Sequence, residues 1–268
     1  MRSYQLFWSM VLIVVGVLLL LGNLGLLPAN VWLVIWPSML ILLGLWILGG
    51  RFIRGGAAVS ESLAIPLEGA QEARVTINHG AGRLTVTGKT APGQLLTGTF
   101  SGGVQHRADR YGDRLELEMR AEVGRAFESA FPWTWGPGAA LDWRFALSGE
   151  VPLSLDVRTG ASETTLDLTQ LHLPELKLET GASSCDITLP AHAGYTRVSV
   201  KGGATAVKLR VPEGVAARIT YEGGLADFKI NASRFPQTAG GYESSDYGTA
   251  ESKVEIHAEV GLGSVNIG

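Results

Sequence analysis

The side chains best suited to chemistry in this chain are one cysteine, Cys185, and five histidines, at positions 79, 106, 172, 192 and 257. A thiol paired with a histidine would indicate nucleophilic catalysis, and closely spaced His and Cys residues would indicate a metal centre. No two of these residues lie at metal-ligand spacing, and Cys185 falls among alternating apolar residues, where a buried thiol is inert. The pattern therefore predicts no metal site.

Carboxylates and glycine-rich motifs give no better candidate for catalysis. Asp156, Asp167 and Asp186 occupy polar positions of strand-like segments, which is typical of solvated faces. The sequence contains no G-x-S-x-G, no Walker loop and no H-E-x-x-H. Its glycine doublets lack the strand, loop and helix context of a phosphate site. We therefore expect no catalytic residues, no cofactor and no enzymatic activity.

A tryptophan-rich segment stands apart from the rest of the chain. Trp133 and Trp135 lie within Phe-Pro-Trp-Thr-Trp-Gly-Pro-Gly, and Trp143 follows closely. One interpretation is a loop that folds back and caps an open end of a β-stack. The other is an exposed aromatic patch that binds a partner or a lipid surface. Both interpretations stay open at the level of the sequence.

Charge is distributed unevenly along the 268 residues. The chain carries 22 basic and 25 acidic side chains, a net charge of −3, and only Arg2 lies within the first 50 residues. The near-balance of the remainder excludes a basic nucleic-acid surface. A single cysteine excludes an intramolecular disulfide framework.

The N-terminal region, residues 1–55, carries no charge between Arg2 and Arg51 and predicts a transmembrane helical hairpin. Two apolar runs, about residues 5–27 and 31–50, are each long enough to cross a bilayer, and Pro28-Ala29-Asn30 is turn chemistry. Arg2, Arg51 and Arg54 flank the runs, while the turn carries no charge. The positive-inside rule then places both ends, and with them the soluble domain, in the cytoplasm of a two-pass protein of the cell membrane.

A glycine-anchored repeat dominates residues 151–268. Apolar residues stand five and three positions before each anchor, and four and six after it. The two pairs are seven residues apart, and side chains an odd number of residues apart on one strand point to opposite faces. For both pairs to face one core, the strand must turn over at a corner between them. We expect the glycines to allow this by adopting a positive φ. The anchors are Gly80, Gly160, Gly181, Gly203, Gly224 and Gly261.

The repeat predicts an all-β domain. Its middle copies are spaced by 21 or 22 residues, which favours a β-solenoid of stacked parallel coils. The alternative is an antiparallel hairpin meander or sandwich with glycines in the turns. A loop insertion at about 236–250 interrupts the last copy, and residues 56–150 form a more irregular β-layer.

These segments resemble a known group of bacterial membrane proteins. The hairpin, with GVLLLLGNLGLL and WPSMLILLGLWIL, resembles the transmembrane region of LiaI- and LiaF-like proteins. INHGAGRLTV (77–86), residues 142–168, LKLETGASSCDITLP (176–190) and the closing GLGSVNIG resemble toast-rack domains. The resemblance implies a membrane-anchored modulator of a sensor kinase in the cell-envelope stress response, with no catalytic residues.

The sequence therefore favours a non-enzymatic binding or regulatory protein, anchored in the lipid bilayer, with a protein partner such as a membrane sensor kinase. An alternative is a structural scaffold that assembles through open β edges, since edge strands readily pair, and this would make the chain an oligomer. A third hypothesis is a ligand-binding module or enzyme at the tryptophan-rich loop. No nucleic-acid partner is expected.

Overall fold

The computed structural model describes residues 60–121, 141–192 and 194–268, which belong to one compact unit, Ala57–Gly268. All regular structure in these residues is β. The strands are β1 (Ser60–Pro66), β2 (Glu72–Gly88), β3 (Gln94–Ser101), β4 (Val104–Tyr111), β5 (Arg114–Ala121), β6 (Leu141–Leu147), β7 (Leu153–Asp167), β8 (Glu175–Thr188), β9 (Tyr195–Arg210), β10 (Ala216–Ile230), β11 (Gln237–Thr238), β12 (Gly241–Glu243) and β13 (Lys253–Ile267).

Each repeat copy is one long strand with two arms that meet at the anchor glycine. In β7 the buried residues before the anchor have odd numbers, Leu155 and Val157 among them, while those after it have even numbers, such as Thr164 and Leu166. Successive side chains of a strand point to opposite faces, so this change of parity reverses the facing. The reversal predicted at Gly160 is confirmed, and both arms face one interior.

The copies stack in parallel, which confirms the solenoid and excludes the hairpin meander for the repeat. Leu155 of β7 pairs with Leu176 of β8, and Leu176 pairs with Val198 of β9. The same register continues through the second arm, from Leu166 to Ile187. Because equivalent positions of the repeat lie side by side, their apolar side chains form continuous columns in the core.

The last strand of the chain is not the last strand of the stack. The order along the sheet is β7-β8-β9-β13-β10, with β13 parallel to both of its neighbours. The wider spacing before the final repeat, created by the insertion, lets the chain pass beyond β10 and return between β9 and β10. β10 therefore forms one end of the solenoid.

At the opposite end two short strands share the neighbourhood of β2. β5 pairs with the first arm of β2, and β6 pairs with its second arm, both in parallel. Together they take the place of one coil beside β2. β4 continues the sheet beyond β5, while β3 and β1 continue it beyond β6.

The expectation of a positive φ at the six anchors is wrong. Positive φ occurs at other glycines, including Gly82 and Gly263, but at none of the anchors. Close packing between coils explains the residue type at five anchors, while a β-carbon on Gly80 would meet nothing within 4 Å. A β-carbon on Gly181 would stand 3.0 Å from the carbonyl oxygen of Gly160, and one on Gly203 would stand 3.1 Å from that of Gly181.

The insertion folds as a strap across the start of β10. The backbone N–H of Ala217 donates to Oγ of Ser244 at 2.8 Å, and the N–H of Ser244 donates to the carbonyl of Ala217 at 2.8 Å. Phe235 is fully buried, and the Arg218 guanidinium lies 4.3 Å from the centre of the Tyr247 ring. The segment thus caps one arm of the terminal strand.

The two apolar runs at about 5–27 and 31–50 lie outside the described residues. Within the residues that the structure describes, no helix is long and apolar enough to cross a membrane.

Candidate binding groove at the glycine corner

An open groove of about 950 Å³ follows the corner where the coils bend. We call it the corner groove. Its floor is mainly backbone, because the anchors Gly203, Gly224 and Gly261 and the preceding Gly202 and Gly223 contribute no side chains. Its rim is formed by charged residues that stand two positions before each anchor. The site is therefore a consequence of the repeat, which places equivalent residues side by side.

The charged rim alternates in sign over most of its length. Arg158 lies 3.7 Å from Glu179 on the next coil, and Lys201 lies 3.1 Å from Glu259 on the next. Such exposed pairs contribute little to stability, since water screens them. Glu222 of β10 ends the row directly beside Glu259 in the parallel register, so the rim is acidic at this end.

Arg158 is the most firmly held side chain of the rim. Its guanidinium donates to the Asp156 carboxylate at 2.9 Å, and this hydrogen bond is the main cause of the raised pKa of Arg158. A side chain fixed in this way presents its charge in one direction. By contrast, Glu222 makes no ion pair with any other described residue, which leaves a carboxylate free at the opposite end of the groove.

This arrangement is suited to binding an extended chain. A floor without side chains lets another backbone approach closely, and polar backbone groups can bond to it. A rim of alternating charges favours a ligand whose own charges are spaced by about one strand separation, 4.8 Å. The groove lacks the buried, convergent titratable groups that catalysis requires.

Beneath the corner groove, the interior of the corner carries hydroxyl groups. Thr159 donates to Thr180 on the next coil at 3.0 Å, and Ser183 lies 3.1 Å from Thr205 on the coil after that. Cys185 is buried beside them, 3.5 Å from Ser183, and burial raises the pKa of its thiol. The thiol is thus neutral and inert, as its place in an apolar column predicts.

Trp143 does not belong to an exposed aromatic patch. It is fully buried on β6, with its ring edge-on to Phe100 at 5.4 Å and to His79 at 5.1 Å. The patch interpretation is therefore wrong for this residue, because its alternation with Leu141 and Phe145 turns the indole into the core. Trp133 and Trp135 lie outside the described residues.

His79 is the one histidine that is fully buried in the described part of the chain. Burial lowers the pKa of its imidazole to about 4, so the ring is neutral near pH 7. The backbone of Leu141 lies near the ring and partly offsets the effect of burial on its pKa, but neither nitrogen makes a hydrogen bond of good geometry, and the indole N–H of Trp143 has no partner. The ring lies within the core and lines no groove, so it serves packing.

The described residues contain no group of three or more His, Cys, Asp or Glu that could hold a metal ion. The remaining histidines are dispersed over different strands and loops, and the structure does not bring them together. Neither the thiol nor the carboxylates of the described strands form a catalytic arrangement.

Analysis of the sequence did not identify the rim of the corner groove. Its signal was present, because the position two residues before the anchor is charged in five of the six copies and is asparagine in the first. The members of this row are Asn78, Arg158, Glu179, Lys201, Glu259 and Glu222, in their order along the stack. The apolar columns define the repeat, and this polar column runs beside them at the same period.

Comparisons with known proteins give two family matches and one solved structure. The family model for the N-terminal domain of toast-rack proteins matches residues 54–210, and that for the LiaI-LiaF-like transmembrane region matches residues 6–48. A crystal structure of a "putative cell adhesion protein" from Clostridium sporogenes has a similar fold, with a TM-score of 0.69 and 20% sequence identity. The similarity covers 78% of this chain and 98% of that one. No curated protein matches the chain.

Proposed function

Because the chain belongs to the toast-rack family, with a LiaI-LiaF-like transmembrane region before the β-domain, we propose that it is a membrane-anchored binding protein that regulates a sensor of cell-envelope stress. Toast-rack and LiaF-like families are not enzyme families. A regulator acts by binding, and the β-domain offers a surface suited to that task. The proposed partner is a membrane sensor kinase.

The corner groove is the observation that carries this proposal. Its bare backbone floor and alternating charged rim suit an extended segment of a partner protein. β8, β9 and β13 are each held by parallel pairing on both sides, which makes their part of the floor rigid, while β10 is held by β13 on one side. A preformed groove loses little conformational entropy on binding, which favours recognition of a flexible partner segment.

The proposal includes a two-pass anchor and a cytoplasmic β-domain. The flanking arginines support this orientation through the positive-inside rule. In that arrangement the corner groove would lie on the same side of the membrane as the kinase domain of a sensor. The two-pass topology also keeps the β-domain within reach of the juxtamembrane segments of a neighbouring membrane protein.

The test uses the full chain in its native membranes. A photo-crosslinking amino acid replaces Glu222 in the groove or Glu61 on β1, which is exposed at the other end of the domain. We expect the sensor kinase to be captured from position 222 and not from position 61. Equal capture at both positions, or capture of no sensor at either, would contradict the proposal.

A matched pair of charge reversals tests the regulatory outcome. Lys201→Glu turns the rim from Glu179 to Glu222 into four successive carboxylates. Lys208→Glu makes the same change on the second arm of the same strand, outside the groove. We expect Lys201→Glu to alter the output of an envelope-stress reporter, because it reverses a charge in the groove. Lys208→Glu should leave the output unchanged, and an equal effect of both would argue against the groove.

A further inference from the structure

The terminal strand β10 is paired on only one side over most of its length. β13 pairs with it from Ala216 to Ile230, whereas on the other side β12 covers only Arg218 and Ile219. From Thr220 onward the outer edge of β10 has no strand partner within the described residues. A row of backbone N–H and C=O groups is therefore available for pairing.

The apolar interior is open at this end of the stack. Tyr221 is 41% exposed, although the residues at the equivalent position of β7, β8 and β9 are fully buried. Phe228 and Ile230 are only partly buried, while their counterparts on β13 are fully buried. Leu225 is 81% exposed beside Leu262 at 52%, so apolar surface extends onto the outer face of the same corner.

The opposite end of the described sheet has two edge strands, β1 and β4, and both differ from β10. The edge strand β4 reads VQHRADRY, in which Arg107 and Arg110 are exposed and Asp109 is half-buried. Charges on an edge strand oppose pairing with another chain. The C-terminal arm of β10 reads LADFKI, with only Asp227 and Lys229 charged, and these two form an ion pair at 3.3 Å.

We propose that two copies of the chain pair through the C-terminal arms of β10, antiparallel and about a two-fold axis at Phe228. In this register Phe228 of each copy faces Phe228 of the other, and Asp227 of each faces Lys229 of the other, because the two numbers sum to twice 228. Directly opposed residues of an antiparallel pair share a face of the sheet.

This register gives favourable contacts on both faces of the sheet. On the inner face the two Phe228 rings meet and cover the open apolar columns, and aromatic cross-strand pairs stabilise a sheet. On the outer face each Asp227 gains a lysine of the other copy while keeping Lys229 of its own chain. Moving the two-fold axis by one residue, to Asp227 or to Lys229, would place that residue opposite the same residue of the other copy. Like charges would then face each other, so we expect the axis at Phe228 to be preferred.

The pairing closes after two copies. A two-fold interface uses the same surface on both partners and leaves no second β10 edge to extend. Neither edge strand at the other end offers an equivalent surface, because β4 carries Arg107 and Arg110, and β1 is seven residues long and ends at Pro66, which has no N–H to donate. The predicted assembly is therefore a closed dimer rather than an end-to-end scaffold. The dimer contact uses the C-terminal arm of β10, so this proposal can fail without affecting the proposed regulatory partner, and the reverse also holds.

Disulfide trapping of the full chain in native membranes tests the register. Differently tagged copies carry Asp227→Cys and Lys229→Cys, and directly opposed positions lie within disulfide reach. Cys185 stays in place because it is buried. We expect a mixed dimer on oxidation, in clear excess over that formed by copies with Arg107→Cys on β4. Trapping no stronger than this control, or a disulfide to a different protein, would overturn the proposal.

Charge reversal gives a second readout that does not depend on cysteine chemistry. Asp227→Lys alone sets lysine against lysine across the two-fold, so the dimer should be weakened. Asp227→Lys combined with Lys229→Asp restores opposite charges and should restore the dimer, as measured by mass photometry of the full chain in nanodiscs. Equal dimer populations in the single and double variants would overturn the register. The Lys201→Glu variant should dimerise like the natural chain.

Discussion

The carbonyl oxygen of Gly80 fills the space into which a β-carbon on Gly160 would project. The same relationship recurs between neighbouring anchors along the stack, at 3.1 Å for Gly261 against Gly203 and 3.2 Å for Gly224 against Gly261. The coils therefore approach each other at the corner more closely than side chains would allow. Contact between coils requires glycine at position 160 and disfavours a side chain at Gly181, Gly203, Gly224 and Gly261, whereas the conformation of the single residue does not require glycine.

Replacing Gly160 by alanine should destabilise the domain. The new methyl group overlaps the Gly80 carbonyl, and overpacking of a close-packed site costs about 1–3 kcal/mol. Gly80→Ala is the matched control, because a β-carbon at Gly80 meets nothing within 4 Å and its φ is not positive. Thermal unfolding of the full chain in detergent, followed by circular dichroism, measures both. An equal loss of thermal stability in the two variants would contradict the role assigned to the contact between Gly160 and the Gly80 carbonyl.

The repeat could be predicted because its signal is local. Leu155, Leu176 and Val198 recur at a fixed distance from a glycine, and their parallel register follows from stacking equivalent positions. The place of β13 between β9 and β10 could not be predicted in this way. Strand order depends on how a long connection returns to the stack, and no residue of β13 differs in pattern from the other copies.

Two errors at the candidate sites have different physical origins. The density of tryptophan places Trp143 in one group with Trp133 and Trp135, yet Leu141, Trp143 and Phe145 alternate as a buried strand does. Periodicity was the better guide than density. The charged rim of the corner groove was readable in the repeat, but its ion pairs depend on which coils are neighbours, and Lys201 meets Glu259 only because β13 lies beside β9.

Acid should weaken the fold through His79. Its pKa is about 4 in the folded chain and 6.5 in an unfolded one, so between these values the unfolded state binds the extra proton. The free energy of unfolding should therefore fall as pH drops from 6.5 to 4, by up to about 3 kcal/mol from this group. Chemical unfolding at several pH values measures the slope.

His79→Phe keeps an aromatic ring against Trp143 and removes the titration. In this variant the free energy of unfolding should no longer fall with pH between 6.5 and 4 through this residue, whatever its value at pH 8. An unchanged slope would show that His79 is already accessible to protons in the folded chain.

Sidedness can be tested with the buried thiol as an internal control. Cys185 is 2% exposed and its pKa is raised, so a membrane-impermeant maleimide should not label the natural chain in intact or lysed cells. Tyr111→Cys adds a thiol at a position that is 61% exposed. If the β-domain is cytoplasmic, this variant should label only after lysis. Labelling in intact cells would place the domain on the outer side.

The strap that caps β10 should depend on Phe235. This ring is fully buried, and Arg234 beside it donates to the carbonyl of Val215 at 3.1 Å as well as to Val211 and Pro212, which ties the strap to the turn before β10. Phe235→Ala removes a buried aromatic side chain, which costs about 3–5 kcal/mol when the site cannot collapse.

Tyr111→Ala is the matched control for Phe235→Ala, since it removes an aromatic ring of similar size that is largely in water. It should change the free energy of unfolding by less than about 0.5 kcal/mol. Hydrogen exchange separates a local from a global effect. If the strap holds only β10, the amides of Ala217 and Ser244, which pair across it, should lose protection in Phe235→Ala before those of β7 and β8. Simultaneous loss in all three strands would instead make the strap part of the global folding unit.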